Sequence, residues 1–366
     1  MTLKDEIEKK SKEIQTDSYS MSIGELINMY KEKELQVQPD FQRFFRWNDN
    51  QKTRLIESIL LGIPIPPIFV AQGEGGIWDV IDGLQRLSTI LEFVGVLKNE
   101  NDVLKPPSVL GKTKFLPSLE GKMWNNSEEA ENSFTSEQRI DFKRAKLDIN
   151  IIKRNSDADA KYELFQRLNT GGTALSPQEI RNCLMIMLDK GFYEWVVDLK
   201  EDENFTGCLP LTEKQASQQE YMEYVIRFLV YRYCDVSKIN VQDDIGEYLT
   251  EQMIEIIENG SFDREKEGEV FKETFSYLNS LLADDIFKKF DTNKQKFGGP
   301  LLIGSFELLT TGISNNLDNV KTKPKEEIKE IVKGIYDGEA FAQATKPGTK
   351  PLNRFKKLFK LGGEVF

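Results

Sequence analysis

Val80-Ile81-Asp82-Gly83-Leu84-Gln85-Arg86-Leu87-Ser88-Thr89 is the stretch on which the reading of this chain turns. Just before it, Ile77 to Ile81 reads as a strand, and Pro67 to Ala71 as another. The Gly73-Glu74-Gly75-Gly76 segment between them is a tight-turn signal, so the two are expected to pair as a β-hairpin. After the stretch, Leu87, Ile90, Leu91 and Val94 fall on one side of a helix expected over Arg86 to Leu97. Asp82-Gly83 therefore stands where a strand hands over to a helix. The first amides of a helix lack internal partners, and together with the macrodipole they favour an anion. Gly83 lets a ligand approach the backbone closely. Arg86 can fork two bonds to a phosphate. Asp82 can accept from a ribose hydroxyl, hold Mg2+ or place a water, and Gln85 offers both a donor and an acceptor. A plainer reading makes Asp82 an N-cap, Gly83 a turn and Arg86 a surface side chain. Pattern alone favours the plainer one, because Asp-Gly at a helix start is common.

Working outward, residues 4 to 15 carry a charged helix pattern. Ser22, with Glu25 three residues on, signals a capped helix from Ile23 to Lys33. Val37 to Gln42 reads as short and extended, and Asn48 or Asp49 can cap a helix from Gln51 to Leu61. Residues 99 to 135 look irregular, with Trp124 and Phe134 as anchors. Ser136 to Lys143 suits a short helix, Leu147 to Ile152 a buried strand, and Ala160 to Leu168 a helix. Ser176-Pro177-Gln178-Glu179 opens another helix, with Ser as cap and Pro at the first helical position. From about residue 180 the pattern is helical, near 180–190, 215–234, 243–258, 265–282, 298–313 and 325–336. The expected class is α+β: a mixed N-terminal domain, 1–185, followed by an all-α region, 186–366.

Other clusters could share a ligand with Asp82. Gln38 to Trp47 interleaves Arg43 and Arg46 with Phe41, Phe44, Phe45 and Trp47, which could stack on a base while the arginines meet phosphates. Core aromatics with outward-snorkelling arginines are the plainer reading, and the pattern favours it. Phe165 to Thr173 contains Asn169, Thr170, Gly171 and Gly172, where successive amides can form an anion-binding nest, and Arg181 comes in the next helix. An ordinary helix connection reads the same residues. Near the end, Lys346, Lys350, Arg354, Lys356, Lys357 and Lys360 occur with no acid among them, while Leu352, Phe355, Leu358 and Phe359 are spaced for one helical face. That is expected to be a docked helix with a basic side, open to nucleic acid or a partner.

Composition removes several chemistries. The 366 residues include no histidine, which rules out Ser-His-Asp and Cys-His catalysis and histidine-ligated zinc within this chain. Hydrolysis would have to rest on carboxylates, Lys, Arg, Ser, Tyr or a carboxylate-bound divalent ion. The net charge of -11 argues against wholesale binding of DNA and leaves only a local patch. Cys183, Cys208 and Cys234 lack metal-ligand spacing and read as reduced, structural thiols. The charged first fifteen residues do not read as a secretory signal, and the apolar run Ile56 to Val70 is broken by Gly62, Pro64, Pro66 and Pro67. A cytoplasmic protein without a membrane partner is expected.

Taken in order, Gln38 to Trp47, Leu55 to Phe69 (LIESILLGIPIPPIF), Val80 to Thr89 (VIDGLQRLST) and Phe165 to Asn182 (FQRLNTGGTALSPQEIRN) resemble the N-terminal domain of GmrSD-type modification-dependent restriction systems, in the ParB/sulfiredoxin-like superfamily. The resemblance covers roughly residues 20 to 185. It implies an α/β domain whose Asp-Gly-Gln-Gln-Arg motif binds and often hydrolyses nucleotide, carried over here to Asp82, Gly83, Gln85 and Arg86. Leu84 stands where the motif has Gln, which puts turnover rather than binding in question. Members act against phage DNA, often through a histidine nuclease domain, so cutting here is expected to fall to a partner nuclease or effector, or not to occur. The expected ligand is a nucleoside triphosphate with Mg2+ at Asp82, held by Gln42, Arg43, Arg46, Gly83, Asn169, Thr170 and Gly171, with Asp82, Gln85 and Arg86 as the catalytic group of an NTPase. The competing expectations are a DNA-binding module that senses modified DNA without turnover, and a carboxylate-metal nuclease, disfavoured for want of a paired acidic motif. A homo-oligomer is compatible with all of them.

Overall fold

The computed structural model describes residues 2, 16–37, 47–99, 101–126, 129–153, 176–217 and 219–366. The chain divides into two compact units, Met1–Gly172 and Thr173–Phe366. The division expected at 185 falls within a helix of the second unit. The helix patterns at 4–15 and 160–168, and the site candidates Gln42, Arg43, Arg46, Asn169, Thr170 and Gly171, lie outside the described residues.

The first unit is mixed α and β. Its strands are β1 (Thr16–Ser22), β2 (Leu35–Gln36), β3 (Ile68–Gln72), β4 (Trp78–Asp82) and β5 (Lys146–Ile152), in the order β1-β5-β3-β4-β2. β3 and β4 pair antiparallel as the expected hairpin, β5 runs parallel to β3, and β1 closes antiparallel on β5. β2 is a short parallel edge on β4. Four helices accompany the sheet: α1 (Ile23–Lys31), α2 (Asp49–Leu60), α3 (Leu84–Val94) and α4 (Ser136–Arg144). Three start on a side-chain cap. Ser22 accepts from the Glu25 amide, Asn48 forms a capping box with Gln51, and Thr135 forms one with Gln138. Each cap satisfies an amide that would otherwise lack a partner.

The apolar stripes that defined these helices form one core. Leu26 of α1, Ile56 of α2, and Leu87, Ile90 and Leu91 of α3 are buried with Ile68, Val70, Val80 and Ile149 of the sheet. The irregular segment is anchored where expected: Trp124 and Phe134 meet Phe93 of α3 edge-on at 5.7 and 5.0 Å between ring centres. Edge contacts of this kind add to what burial alone contributes.

The second unit is built of α5 (Pro177–Leu188), α6 (Lys190–Lys200), α7 (Glu203–Cys208), α8 (Glu213–Ser217), α9 (Glu220–Tyr233), α10 (Ile245–Glu258), α11 (Arg264–Leu282), α12 (Ile303–Asn315), α13 (Leu317–Thr322), α14 (Lys325–Ile335), α15 (Glu339–Ala344) and α16 (Pro351–Val365). Ser176 caps α5 in a capping box with Glu179, as its spacing predicts. α6 was not expected. Asp189, extended at φ -156°, ends α5 and caps α6 by accepting from the Phe192 amide at 2.9 Å. A small hairpin, β6 (Lys289–Asp291) with β7 (Lys296–Gly298), interrupts the helical pattern. α12 packs closely on α16, where Gly312 and Gly362 meet: a Cβ on Gly312 would lie 2.9 Å from the Gly362 carbonyl oxygen, so the absent side chains let the backbones touch.

Candidate functional site

The site begins with an irregularity in the hairpin. Phe69 of β3 faces Asp82 of β4, yet Val70 faces Val80, so Ile81 has no opposite residue. Such a bulge breaks the strict alternation of a strand and re-aims the side chains beyond it. Val80 and Ile81 are consecutively buried, and Asp82 emerges half-exposed at the strand end, its side chain 41% accessible. Gly83 comes next at φ 91°, ψ 12°, the left-handed region, and forms the N-cap of α3. No other residue fits there. A Cβ on Gly83 would lie 2.9 Å from Ile68 Cγ1 and 3.0 Å from Arg86 Nη2.

Unlike its three capped neighbours in this unit, α3 starts with no side-chain cap bond and no acidic residue in its first turn. Asp82 therefore does not act as the N-cap that the plainer reading assigned to it. Its carboxylate instead accepts from Arg86, Nη2 to Oδ2 at 3.0 Å, an ion pair spanning the handover. The same Nη2 donates to the Pro67 carbonyl at 3.2 Å. Arg86 is no loose surface side chain either: it is 13% accessible, braced between Pro67, just ahead of β3, and Asp82. Nε and Nη1 have no partner among the described residues. A guanidinium held by one edge in this way presents its other donors as a fixed fork.

Gln85 takes part as well. Its side-chain oxygen accepts from the Trp47 amide at 3.3 Å, which ties Trp47 to the first turn of α3. Leu84, the departure from the motif, packs its side chain against the hydrophobic core. That explains the residue chemically: the position is apolar because it faces apolar neighbours. Among the described residues no group of three or more His, Cys, Asp or Glu could hold a metal ion. A Mg2+ at Asp82 would have to draw its other ligands from a bound phosphate and water, the usual arrangement for that ion.

Arg181 of α5 is buried within the second unit, 1% accessible, and engaged there. Its guanidinium donates to Gln178 Oε1 at 2.7 Å and to Glu223 Oε2 at 2.9 Å. Glu223 also binds Arg227, whose Nη1 donates to Tyr231 Oη at 2.8 Å. Tyr231 Oη lies 3.3 Å from the buried Glu307 carboxylate, which Arg354 grips with two bonds of 2.8 and 2.9 Å. Burial opposes the charge on Glu223, but the Arg227 and Arg181 guanidiniums outweigh it and hold the carboxyl below its usual range. This chain of groups joins α5, α9, α12 and α16. Isolated, none of its charges could be buried; paired and hydrogen-bonded, they can. Sequence reasoning missed it because its members are scattered from 178 to 354.

The C-terminal basic run forms α16 as expected, with Leu352, Phe355 and Leu358 buried. Arg354 is withdrawn from the basic face by Glu307, and the lysines remain on the outside. The three cysteines are free and buried, and burial pushes the Cys208 thiol up to about 12 and Cys234 to about 11. Among the described residues, no helix is long and apolar enough to cross a membrane.

Compared with known proteins, residues 23–186 match the family described as the GmrSD restriction endonuclease, N-terminal domain. The match includes the hairpin, the Asp82 to Arg86 turn and α5, and ends before the rest of the helical unit. No curated protein and no solved structure matches the chain.

Proposed function

We propose that this chain, whose residues 23–186 are a GmrSD-type N-terminal domain, is a nucleotide-binding regulatory or sensor component of a DNA-targeting, restriction-type defence system. The observation that carries the reading is the head of α3. An uncapped helix N-terminus, an obligatory left-handed Gly83 and an arginine braced with donors to spare meet at one turn. Backbone amides and a guanidinium directed to one place suit a phosphate.

In this reading Arg86 and the first amides of α3 take the phosphate charge. Asp82 would be the residue to hold a Mg2+ or a water, and Gln85 would orient the ligand. Arg43, Arg46, Gln42, Asn169, Thr170 and Gly171 are proposed to complete the pocket. Binding is the function proposed; turnover is a separate question. Leu84 packs into the core where the motif has a polar residue, which favours a sensor that binds without rapid hydrolysis. A histidine nuclease centre is excluded within this chain, so DNA cleavage is proposed to fall to a partner nuclease or effector, or not to occur.

The test is equilibrium binding of each of the four Mg-nucleoside triphosphates to purified chain, with phosphate release monitored in parallel. Asp82→Ala and Arg86→Ala should each weaken binding at least tenfold, about 1.4 kcal/mol. Gln85→Ala serves as a third variant that leaves the Asp82–Arg86 brace intact. Equal binding by all four proteins, or none by the wild type, rejects the reading.

A further inference from the structure

We infer that the lysine face of α16, with the cavity at its start, is a seat for the phosphodiester backbone of DNA. The inference rests on the DNA-targeting part of the proposed function and adds the place of contact. The chain as a whole is acidic, yet from Lys346 to Lys360 there is no acid. The structure shows why this segment is not simply a solvated helix side. Leu352, Phe355 and Leu358 are buried, and Arg354 clamps the buried Glu307, so α16 is fixed in rotation about its own axis. What remains exposed is Lys350, Lys357 and Lys360, the last two at helical spacings of seven and ten residues from the first. At 1.5 Å per residue, Lys350 to Lys360 spans about 15 Å of helix. That is the axial length of about four base steps at 3.4 Å each.

The start of the helix is concave. A cavity of about 440 Å³ is lined by Lys346, Gly348, Thr349, Lys350 and Asn353 of this segment and by Gln242 across from them. Lys350 Nζ donates to the Gln242 carbonyl at 3.2 Å, which holds its ammonium at the cavity wall. The acids next to Gln242 in the chain, Asp243 and Asp244, are exposed and keep their charge, so phosphate contact is assigned to the lysine side of the cavity. Asp244 caps α10, accepting from the Gly246 and Glu247 amides at 2.7 and 3.1 Å, and Asp243 accepts from Asn240 at 2.6 Å. The one acid on the face itself is Glu364, 3.7 Å from Lys360 at the far end. A polyanion with regularly spaced charges therefore meets exposed lysines along a helix whose orientation is set by its buried face, and a polar recess at its head. Because every lysine makes a point contact, the surface reads charge and not sequence.

The experiment titrates the full chain into a labelled duplex of arbitrary sequence at a series of salt concentrations. The variant is Lys346→Glu with Lys350→Glu and Lys357→Glu. The charge-matched control is Lys289→Glu with Lys294→Glu and Lys296→Glu on the exposed β6–β7 hairpin. The wild type is expected to bind with a steep salt dependence. The α16 variant should bind at least tenfold more weakly with a shallower slope, and the control should keep most of the affinity. Thermal unfolding of each protein separates a lost contact from a lost fold. Binding by the α16 variant equal to that of the control, or no binding by the wild type at low salt, overturns the inference; the latter outcome would leave the face to an acidic protein. Nucleotide binding by the wild type is measured alongside. A chain that binds no nucleotide but shows the lysine-dependent slope overturns the Asp82 reading and keeps this one.

Discussion

Gly83 shows how much a single position can constrain. Its φ of 91° and the 2.9 Å approach of Ile68 leave room for no side chain. Gly83→Ala is therefore expected to cost about 1–3 kcal/mol, a typical cost for strained backbone. Denaturant unfolding would measure it, and an alanine variant as stable as the wild type would show that the turn can relax. The same substitution should displace Arg86, whose Nη2 and Nε lie 3.0 and 3.2 Å from the added carbon. Asp82, Gly83, Gln85 and Arg86 could be picked out from the sequence because their residue types suit a strand-to-helix anion turn. Their partners could not. The Pro67 carbonyl that braces Arg86 and the register shift in the hairpin that precedes Asp82 depend on strand pairing, which local pattern does not reveal. The surroundings of Arg181 were illegible for a related reason: its burial against Glu223 is decided by a residue 42 positions away.

At the scale of elements, the capped helices were the easiest to read. Ser22, Asn48 and Ser176 all cap where their spacing predicts. β1 escaped notice because Thr16–Ser22 is largely polar and exposed, an edge strand with no apolar alternation to detect. α6 was hidden because Asp189 joins α5 to α6 with no loop between them, and Gly191, which reads as a helix stop, lies in the first turn of the new helix. The buried charge chain is likewise a property of packed elements. Arg354→Ala would leave the fully buried Glu307 carboxylate without its two guanidinium hydrogen bonds, with the Tyr231 hydroxyl and the charge of Arg227 as its remaining partners. The expected loss is about 3–5 kcal/mol of unfolding free energy. Lys357→Ala on the outer face of the same helix should stay within about 0.5 kcal/mol. Similar effects for the two variants would mean that Glu307 is solvated and that the clamp does not hold α16.

For the whole molecule, the charge chain predicts a pH response. Glu223 titrates below its usual value of 4.5 in the folded chain because Arg227 and Arg181 favour its ionised form. Its contribution to stability is thus complete above about pH 5 and is lost as pH falls through the lower folded value. Glu223→Gln should lower stability at pH 7 and flatten the acid limb of a melting-temperature profile below pH 5. An unchanged acid limb would assign acid unfolding to other carboxylates. The overall class, a mixed first unit followed by helices, was legible from the change of periodicity along the chain. The small β6–β7 hairpin was not, being too short to carry a pattern. The absence of histidine bears on function at this scale too, since it leaves phosphate recognition to amides, arginines and lysines.

The central claim is that the turn from Asp82 to Arg86 holds a nucleotide. Isothermal titration of Mg-nucleoside triphosphates into the wild-type chain and into Arg86→Ala, with both proteins first shown to be folded, tests it most directly. A saturable one-site isotherm for the wild type, weakened at least tenfold in the variant, is the predicted result. Identical isotherms for the two proteins, or no heat of binding from the wild type with any of the four nucleotides, would contradict it.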